Sequence, residues 1–419
     1  VIDLEEKKKS KIGIGILIGA IVGLLLGASA TLAYVLFSGR MITSADPTKV
    51  AGISESSEGG SAVDESVIRK MKLIEEIFDR YYLEEDLDKS ELPEDIYHSM
   101  VNSMGDKYST YYSAEEYKKA TEDREGTYYG IGAYVTMNTD IGYAVISGVM
   151  DDSPALEAGV RTDDIIYEID GESAYDLDLD EIVRRIKGPE GTTVNITFIR
   201  NESEEVNLDV ERRAIESKTV KYEMLEGDIG YLQLTAFETI SEQQFKDAKA
   251  DLEAQGMKGL ILDLRGNPGG NLSTVVEIAN QLLPKGLIIR TEDRDGNGSS
   301  YDSDGKHEFM LPLVVLVNEY SASASEVLTG ALQDYEKATV VGKTTYGKGI
   351  VQDTISLTDG SAVKLTTEAY YTPKGRSLHG VGIKPDVDVD LDTDAYYESE
   401  GAIDTQLDKA IEVISAQIN

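Results

Sequence analysis

The chain has no cysteine and only three histidines among its 419 residues: His98, His307 and His379. The first absence removes disulfides, thiolate metal sites and cysteine nucleophiles together, and the second leaves little for a histidine-rich metal centre. Basic residues are scarce as well, with 40 Lys+Arg against 77 Asp+Glu and a formal charge of −37. A nucleic-acid binder needs basic faces to meet phosphates, so no nucleic-acid partner is expected, and anionic polymers are repelled. No metal and no cofactor are implied. What remains is ordinary for a folded protein, with 41% hydrophobic and 28% charged residues. The length suits about two or three domains.

One long apolar run is present. Ile12 to Phe37 carries no charge, and it exceeds the ~20 residues that span a bilayer. Lys7, Lys8, Lys9 and Lys11 precede it and only Arg40 follows closely. The positive-inside rule makes residues 1–11 a cytoplasmic tail and 12–37 a single-pass membrane anchor, with everything after it outside. A signal peptide cleaved after Ala28-Ser29-Ala30 is the competing reading. Signal cores are usually ~7–15 apolar residues, shorter than this run.

Residues 38–63 form a Gly/Ser/Glu-rich flexible tether. Residues 64–125 read as a helical region: Val67, Met71, Ile74, Ile77 and Phe78 fall at helical spacing, and Ser113-x-x-Glu116 is a capping box. From 126 to 213 the pattern turns to short strands around an amphipathic helix at Leu179–Lys187. From 214 to 390 strands and helices alternate. Strands are expected at Ile229–Leu234, Gly259–Leu264, Leu313–Val317 and Thr339–Gly342. Helices are expected at Glu242–Ala254, capped by Ser241-x-x-Gln244, and at Ser273–Leu283 and Ser323–Tyr335. The segment 391–419 ends in a helix, Thr405–Ile418. The fold class implied is an α/β core with an inserted mainly-β domain, helical terminal segments and one transmembrane helix.

Within 126–213, Tyr129-Gly130-Ile131-Gly132-Ala133 opens an apolar strand. Ser153-Pro154-Ala155, Ala158-Gly159-Val160 and Asp163-Asp164-Ile165-Ile166 through Asp170-Gly171 follow in order. This succession resembles a PDZ domain. Glycines let successive N–H groups converge on a peptide carboxylate, and the strand Ala133–Met137 offers an edge to an extended chain. On helical spacing, Ile182, Val183 and Ile186 line the groove for the last side chain.

Three segments of the α/β region carry chemistry: Leu262-Asp-Leu-Arg-Gly-Asn-Pro-Gly-Gly270, Ser321-Ala-Ser-Ala-Ser-Glu326 and Tyr346-Gly-Lys-Gly-Ile-Val-Gln352. Singly, each has a plain reading. Ser323-x-x-Glu326 caps a helix, Gly-Lys-Gly turns at a surface, and Asn-Pro-Gly-Gly is a common loop. Together they supply a serine nucleophile and a lysine base, one of the known variants of the hydrolytic triad. Such a lysine is a base only when burial brings its pKa down from ~10.4 toward ~7–8. Gln352 can orient the amine. A backbone N–H at the start of the serine helix and one from the glycine loop would bind the oxyanion.

The three segments, with a PDZ domain upstream, resemble the C-terminal processing peptidases, also called tail-specific proteases, over about residues 70–415. The resemblance implies Ser323 as nucleophile among the three serines, with Lys348 as base and Gln352 as its partner. It implies oxyanion donors at Ala324 and at Gly269 or Gly270. It also implies a cap-and-core protease with the PDZ domain embedded, gating by that domain, and dimerisation through the terminal helical segments. The expected partners are protein or peptide substrates with free C-termini, engaged through the PDZ domain. A non-catalytic PDZ scaffold is the alternative, but a scaffold has no need of these three motifs. A His/Asp/Ser protease would need a histidine in a structured catalytic loop, and none of the three has that setting.

Overall fold

A computed structural model describes residues 61–418, except 84–86, 139–140, 176, 202 and 400. The expected anchor at 12–37, the tail before it and most of the tether lie outside the described residues. Among the described residues no helix is long and apolar enough to cross a membrane. The chain divides into two units, residues 1–87 and 88–419.

The first unit is described as one helix, α1 (Glu65–Tyr81), started by Asp64, whose carboxylate accepts from the N–H groups of Ser66 and Val67. It buries none of its residues, and Ile68, Leu73, Ile74, Ile77 and Phe78 stay exposed.

The second unit opens with α2 (Leu92–Asn102), β1 (Thr110–Tyr112) and α3 (Ala114–Glu125). Ser113 and Glu116 form the expected capping box on α3, and Gly126 closes that helix in a left-handed conformation. The PDZ-like region runs through β2 (Thr127–Gly130), β3 (Ala133–Asn138), β4 (Tyr143–Val149), α4 (Pro154–Ala158), β5 (Ile165–Ile169), β6 (Glu172–Ser173), α5 (Leu179–Ile186), β7 (Thr193–Arg200), β8 (Glu204–Glu211) and β9 (Arg213–Glu216). Its sheet is ordered β3-β4-β5-β7-β8, with β6 on β5, and β3 is an edge strand that pairs only with β4 among the described residues. Ile146, Ile166, Ile182, Ile196 and Phe198 close its core without exposure. Arg200 makes a bidentate pair with buried Asp164 at 2.8 and 2.7 Å and reaches the carbonyl of Gly159, tying the sheet to the end of α4. A two-stranded ribbon, β2–β9, carries the chain in and out.

The remaining elements are β10 (Val220–Leu225), β11 (Ile229–Leu234), α6 (Ser241–Ala254), β12 (Gly259–Asp263), α7 (Leu272–Asn280), β13 (Gly286–Asp293), β14 (Ser300–Ser303), β15 (Leu313–Val317), α8 (Ala324–Asp334), β16 (Thr339–Gly342), β17 (Ile350–Ser356), β18 (Ala362–Tyr371), β19 (Val387–Asp388), α9 (Thr393–Glu398) and α10 (Thr405–Ile418). The main sheet is ordered β10-β11-β12-β15-β16-β19 and is parallel except for β10. Every residue of β12 and β15 is buried, which explains why β15 is apolar throughout and β12 is apolar up to Asp263, whose charge Arg265 meets: a parallel strand covered on both faces has no polar side. Phe245, Leu252, Ile278 and Leu328 of α6, α7 and α8 join one face, and Ala410 and Ile414 of α10 pack on the other.

Arg265 fastens α10 to this sheet. Its guanidinium bridges Asp263 at 2.7 Å and Asp404 at 2.8 Å. Burial alone would raise the Asp404 carboxyl, but the Arg265 hydrogen bond holds it below the usual carboxylate range. The arginine of the Leu-Asp-Leu-Arg-Gly segment is thus a clamp. One expected cap is corrected. Ser241 is the first helical residue of α6, and its hydroxyl bonds the carbonyl of Ala236 and the N–H of Glu238, because the preceding turn doubles back on it.

A second sheet is ordered β1-β18-β13-β14 with β17 on β18, and its Ile288, Ile289 and Tyr370 join the same core cluster as the main sheet. The three motif loops leave the carboxyl ends of β12, β15 and β16, which are neighbours in the main sheet. Loops at that end of adjacent parallel strands meet in one crevice.

Candidate active site

The serine segment resolves into three different roles. Ser321 and Ser325 are fully buried, and their hydroxyls donate to the carbonyls of Leu264 and Asn267 at 2.8 and 2.9 Å. Ser323 is half-buried and stands at the turn from loop to α8 with φ 55° and ψ −113°. A serine held there stores roughly 1–3 kcal/mol of backbone strain. A sharp strand-to-helix turn of this kind presents a hydroxyl at its apex.

What holds the turn is Glu326, which is fully buried. Its Oε2 accepts from the N–H of Ser323 at 2.9 Å and of Lys348 at 2.8 Å. Its Oε1 accepts from Thr345 Oγ1 at 2.6 Å and the N–H of Gly347 at 2.8 Å. One carboxylate therefore joins the serine turn to the lysine loop. The Tyr370 hydroxyl does the same from β18, sitting between the carbonyls of Ser323 and Lys348. The sequence reading saw Glu326 only as a helix cap and missed Tyr370 altogether. Nothing local marks a tyrosine that acts from a strand 22 residues beyond the lysine.

Lys348 is half-buried. A side chain on Gly349 would bring its Cβ within 2.3 Å of the His379 N–H nitrogen, so only glycine lets the loop lie this close. Burial, and after it the charge of Lys364, pushes the Lys348 ammonium below its ordinary pKa; Tyr346, Asp106 and Glu326 pull the other way. Residues ahead of the PDZ-like region supply part of this burial. The Tyr108 ring centroid lies 5.0 Å from Lys348 Nζ, and Lys107 Nζ donates to the Tyr346 hydroxyl at 2.7 Å. Ser109 Oγ accepts from the N–H of Thr366 and so pins that turn to β18. Gln352 lies on β17, where its amide nitrogen makes two long contacts, 3.5 Å to the carbonyl of Ile350 and 3.4 Å to Thr366 Oγ1. Neither is to Lys348.

The glycine loop lies against the serine turn. A Cβ on Gly269 (φ 106°) would sit 2.8 Å from Ser323 Cβ and 3.0 Å from the Ala324 nitrogen. The buried Asn267 side chain fixes the loop, accepting from the N–H of Gly269 and donating to the carbonyl of Leu234. The Gly269 N–H is therefore committed. The N–H groups of Gly270 and of Ala324, the first residue of α8, donate to no acceptor among the described residues.

In the PDZ-like region Gly130, Ile131 and Gly132 are buried and Ala133 begins the edge strand. The N–H groups of Ile131 and Gly132 donate no hydrogen bond among the described residues. Ile182 and Ile186 point into the domain core, 0% and 5% exposed, because α5 turns its most apolar stripe onto the sheet. Val183, the third residue assigned to the groove, is half-buried.

A strained serine at a helix start, orphan N–H donors beside it and a desolvated amine on the next loop are what acyl transfer from a peptide requires. They define a serine-type peptidase. Residues 228–389 match the model of peptidase family S41, and residues 145–200 match a PDZ domain. A probable CtpA-like serine protease of Staphylococcus aureus (strain COL) is 37% identical over 342 residues, covering 81% of this chain and 68% of that protein. One from Staphylococcus epidermidis is 35% identical over 341 residues, covering 80% and 68%. The chain belongs to this family of CtpA-like S41 serine proteases. Among solved structures, a photosystem II D1 C-terminal processing protease is similar at 26% identity, with a TM-score of 0.45 over 78% of this chain and 94% of that one.

Proposed function

We propose that this peptidase is a membrane-anchored, extracytoplasmic endopeptidase that cleaves protein substrates near their C-termini with a Ser323–Lys348 dyad. The observation that carries the dyad is the single oxygen of Glu326 that accepts from both backbones. Lys348, whose burial favours the neutral amine, takes the Ser323 proton in that form as the hydroxyl attacks the scissile carbonyl, then passes it to the leaving amine. The oxyanion forms between the N–H groups of Ala324 and Gly270; Gly269 shapes the loop, since its own N–H is spent on Asn267. Gln352 exchanges its long contacts for the ammonium once the lysine is protonated. The free N–H groups of Ile131 and Gly132 receive the substrate's terminal carboxylate, and the β3 edge takes the extended tail. Val183 borders that groove; Ile182 and Ile186 support it from below. The exposed apolar residues of α1 suit pairing with a second copy, and the charge-free run at 12–37 supplies the anchor.

The test is digestion of unfolded casein. Ser323→Ala and Lys348→Ala should each abolish cleavage in a folded protein, and the double variant should be no worse than either alone, because such groups act as a unit. Full activity of Lys348→Ala would refute the mechanism.

A further inference from the structure

A cavity of about 370 Å³ opens beside the glycine loop, walled by Gly269 and Gly270, Ala236 and Phe237, Ala120 and the rings of Tyr112 and Tyr117. Since Gly269 touches the Ser323 turn, this space adjoins the proposed nucleophile. Its volume is at the small end of ligand pockets, enough for one side chain or a chain end.

Two cations line it, Lys364 and Arg124. In a chain of charge −37 their partners are unusual, because both are phenols. Lys364 donates to the Tyr112 hydroxyl at 2.8 Å, and its ammonium lies 5.3 Å from the centroid of that ring. Arg124, after Ser356, holds the Tyr117 hydroxyl below its usual pKa. Among the described residues neither cation is paired with a carboxylate. Two acids also line the space. Asp123 is exposed, and Glu238 has a buried carboxyl oxygen without a hydrogen-bond partner. Burial pushes the Glu238 carboxyl up, and no ion pair joins it to either cation among the described residues. A phenol is a neutral acceptor, and exchanging it for a carboxylate makes a charge-assisted bond about twice as strong.

We propose that this cavity is a specificity subsite for a substrate carboxylate, recognised by Lys364 and assisted by Arg124. The inference rests on the Ser323 reading, which places substrate here. The carboxylate comes either from an acidic side chain next to the scissile bond or from a chain end a few residues beyond it.

The experiment uses the whole chain and four peptides of one sequence. Three are C-terminally amidated and carry Glu, Gln or Lys before the scissile bond; the fourth carries Gln there and a free C-terminal acid. The ratio of kcat/KM between peptides is read for wild type, Lys364→Gln, Lys364→Glu and Arg124→Gln. Lys364 faces Lys348, as do Tyr346, Tyr108, Asp106 and Glu326, so its replacement changes the base for every peptide and the ratio cancels that change. Wild type should cleave the Glu peptide at least about tenfold faster than the Gln peptide. The advantage should vanish in Lys364→Gln, pass to the Lys peptide in Lys364→Glu, and shrink in Arg124→Gln. A tenfold advantage confined to the free-acid peptide, and lost in Lys364→Gln, supports the site with the chain end as its occupant. Equal rates for all four peptides in wild type, or an advantage that survives Lys364→Glu, overturns the subsite while leaving the dyad intact. No cleavage of any peptide by wild type refutes the dyad reading and the subsite with it.

Discussion

Replacing Glu326 by glutamine changes one atom and one charge at the point where the two halves of the site meet. The carboxylate satisfies four donors: the N–H groups of Ser323, Gly347 and Lys348, and the Thr345 hydroxyl. An amide has one oxygen and one NH2. Its best placement keeps the oxygen on Ser323 and Lys348 and turns the NH2 to Thr345, whose hydroxyl can accept. The Gly347 N–H is then orphaned inside the protein, at about 1–3 kcal/mol. For a domain of this size each kcal/mol lowers Tm by roughly 2–4 °C. Glu326→Gln should therefore fold with a Tm lower by several degrees, and casein kcat/KM should fall more than KM rises, because the serine–lysine register loosens while the binding surface stays. A second readout separates geometry from charge. The Glu326 carboxylate pulls the Lys348 pKa up, so its neutralisation should move the rising limb of the pH–rate profile to lower pH. Unchanged kcat/KM, Tm and pH limb in Glu326→Gln would refute the joining role.

In wild type the rate should rise with pH through a lysine pKa below ~10.4, and a profile flat from about pH 5 to 9 counts against a lysine base. The same depressed pKa means that the unfolded chain holds the extra proton between the folded and unfolded values, so Lys348→Met should flatten a rise in stability across that window, measured by urea unfolding. Arg265→Met leaves Asp263 and Asp404 buried without their cation and should cost about 3–5 kcal/mol, read as a fall in the urea midpoint; a loss under about 1 kcal/mol would show that the clamp contributes little. Peptides ending in a free acid should bind the full chain carrying Ser323→Ala more tightly than their amides, by about 1.5–3 kcal/mol, and equal binding would remove carboxylate capture from the PDZ loop.

The sequence by itself determined the elements whose signal is local. Leu313–Val317, Ile229–Leu234, Thr339–Gly342 and Thr405–Ile418 stand where apolar runs and helical spacing put them, because burial of a whole strand or one helix face dictates composition. The three motifs were legible for the same reason, as glycines and polar residues interrupting apolar strands. The hairpins β13–β14 and β17–β18 were not, since their half-buried faces mix polar and apolar residues. Which serine is free was decided only in three dimensions. Ser321 and Ser325 bond carbonyls of the glycine loop, more than 50 residues away in the chain, and leave Ser323 at the strained turn. Glu326 caps a helix by its spacing but joins two loops by its burial, and Tyr108, which precedes the PDZ-like domain in the chain, lies against Lys348, which follows it. The pKa of a lysine is set by what excludes water from it. The charges and the ring that act on Lys348 stand on α8 (Glu326), β18 (Lys364) and the turn before β1 (Asp106, Tyr108), and only folding brings them together.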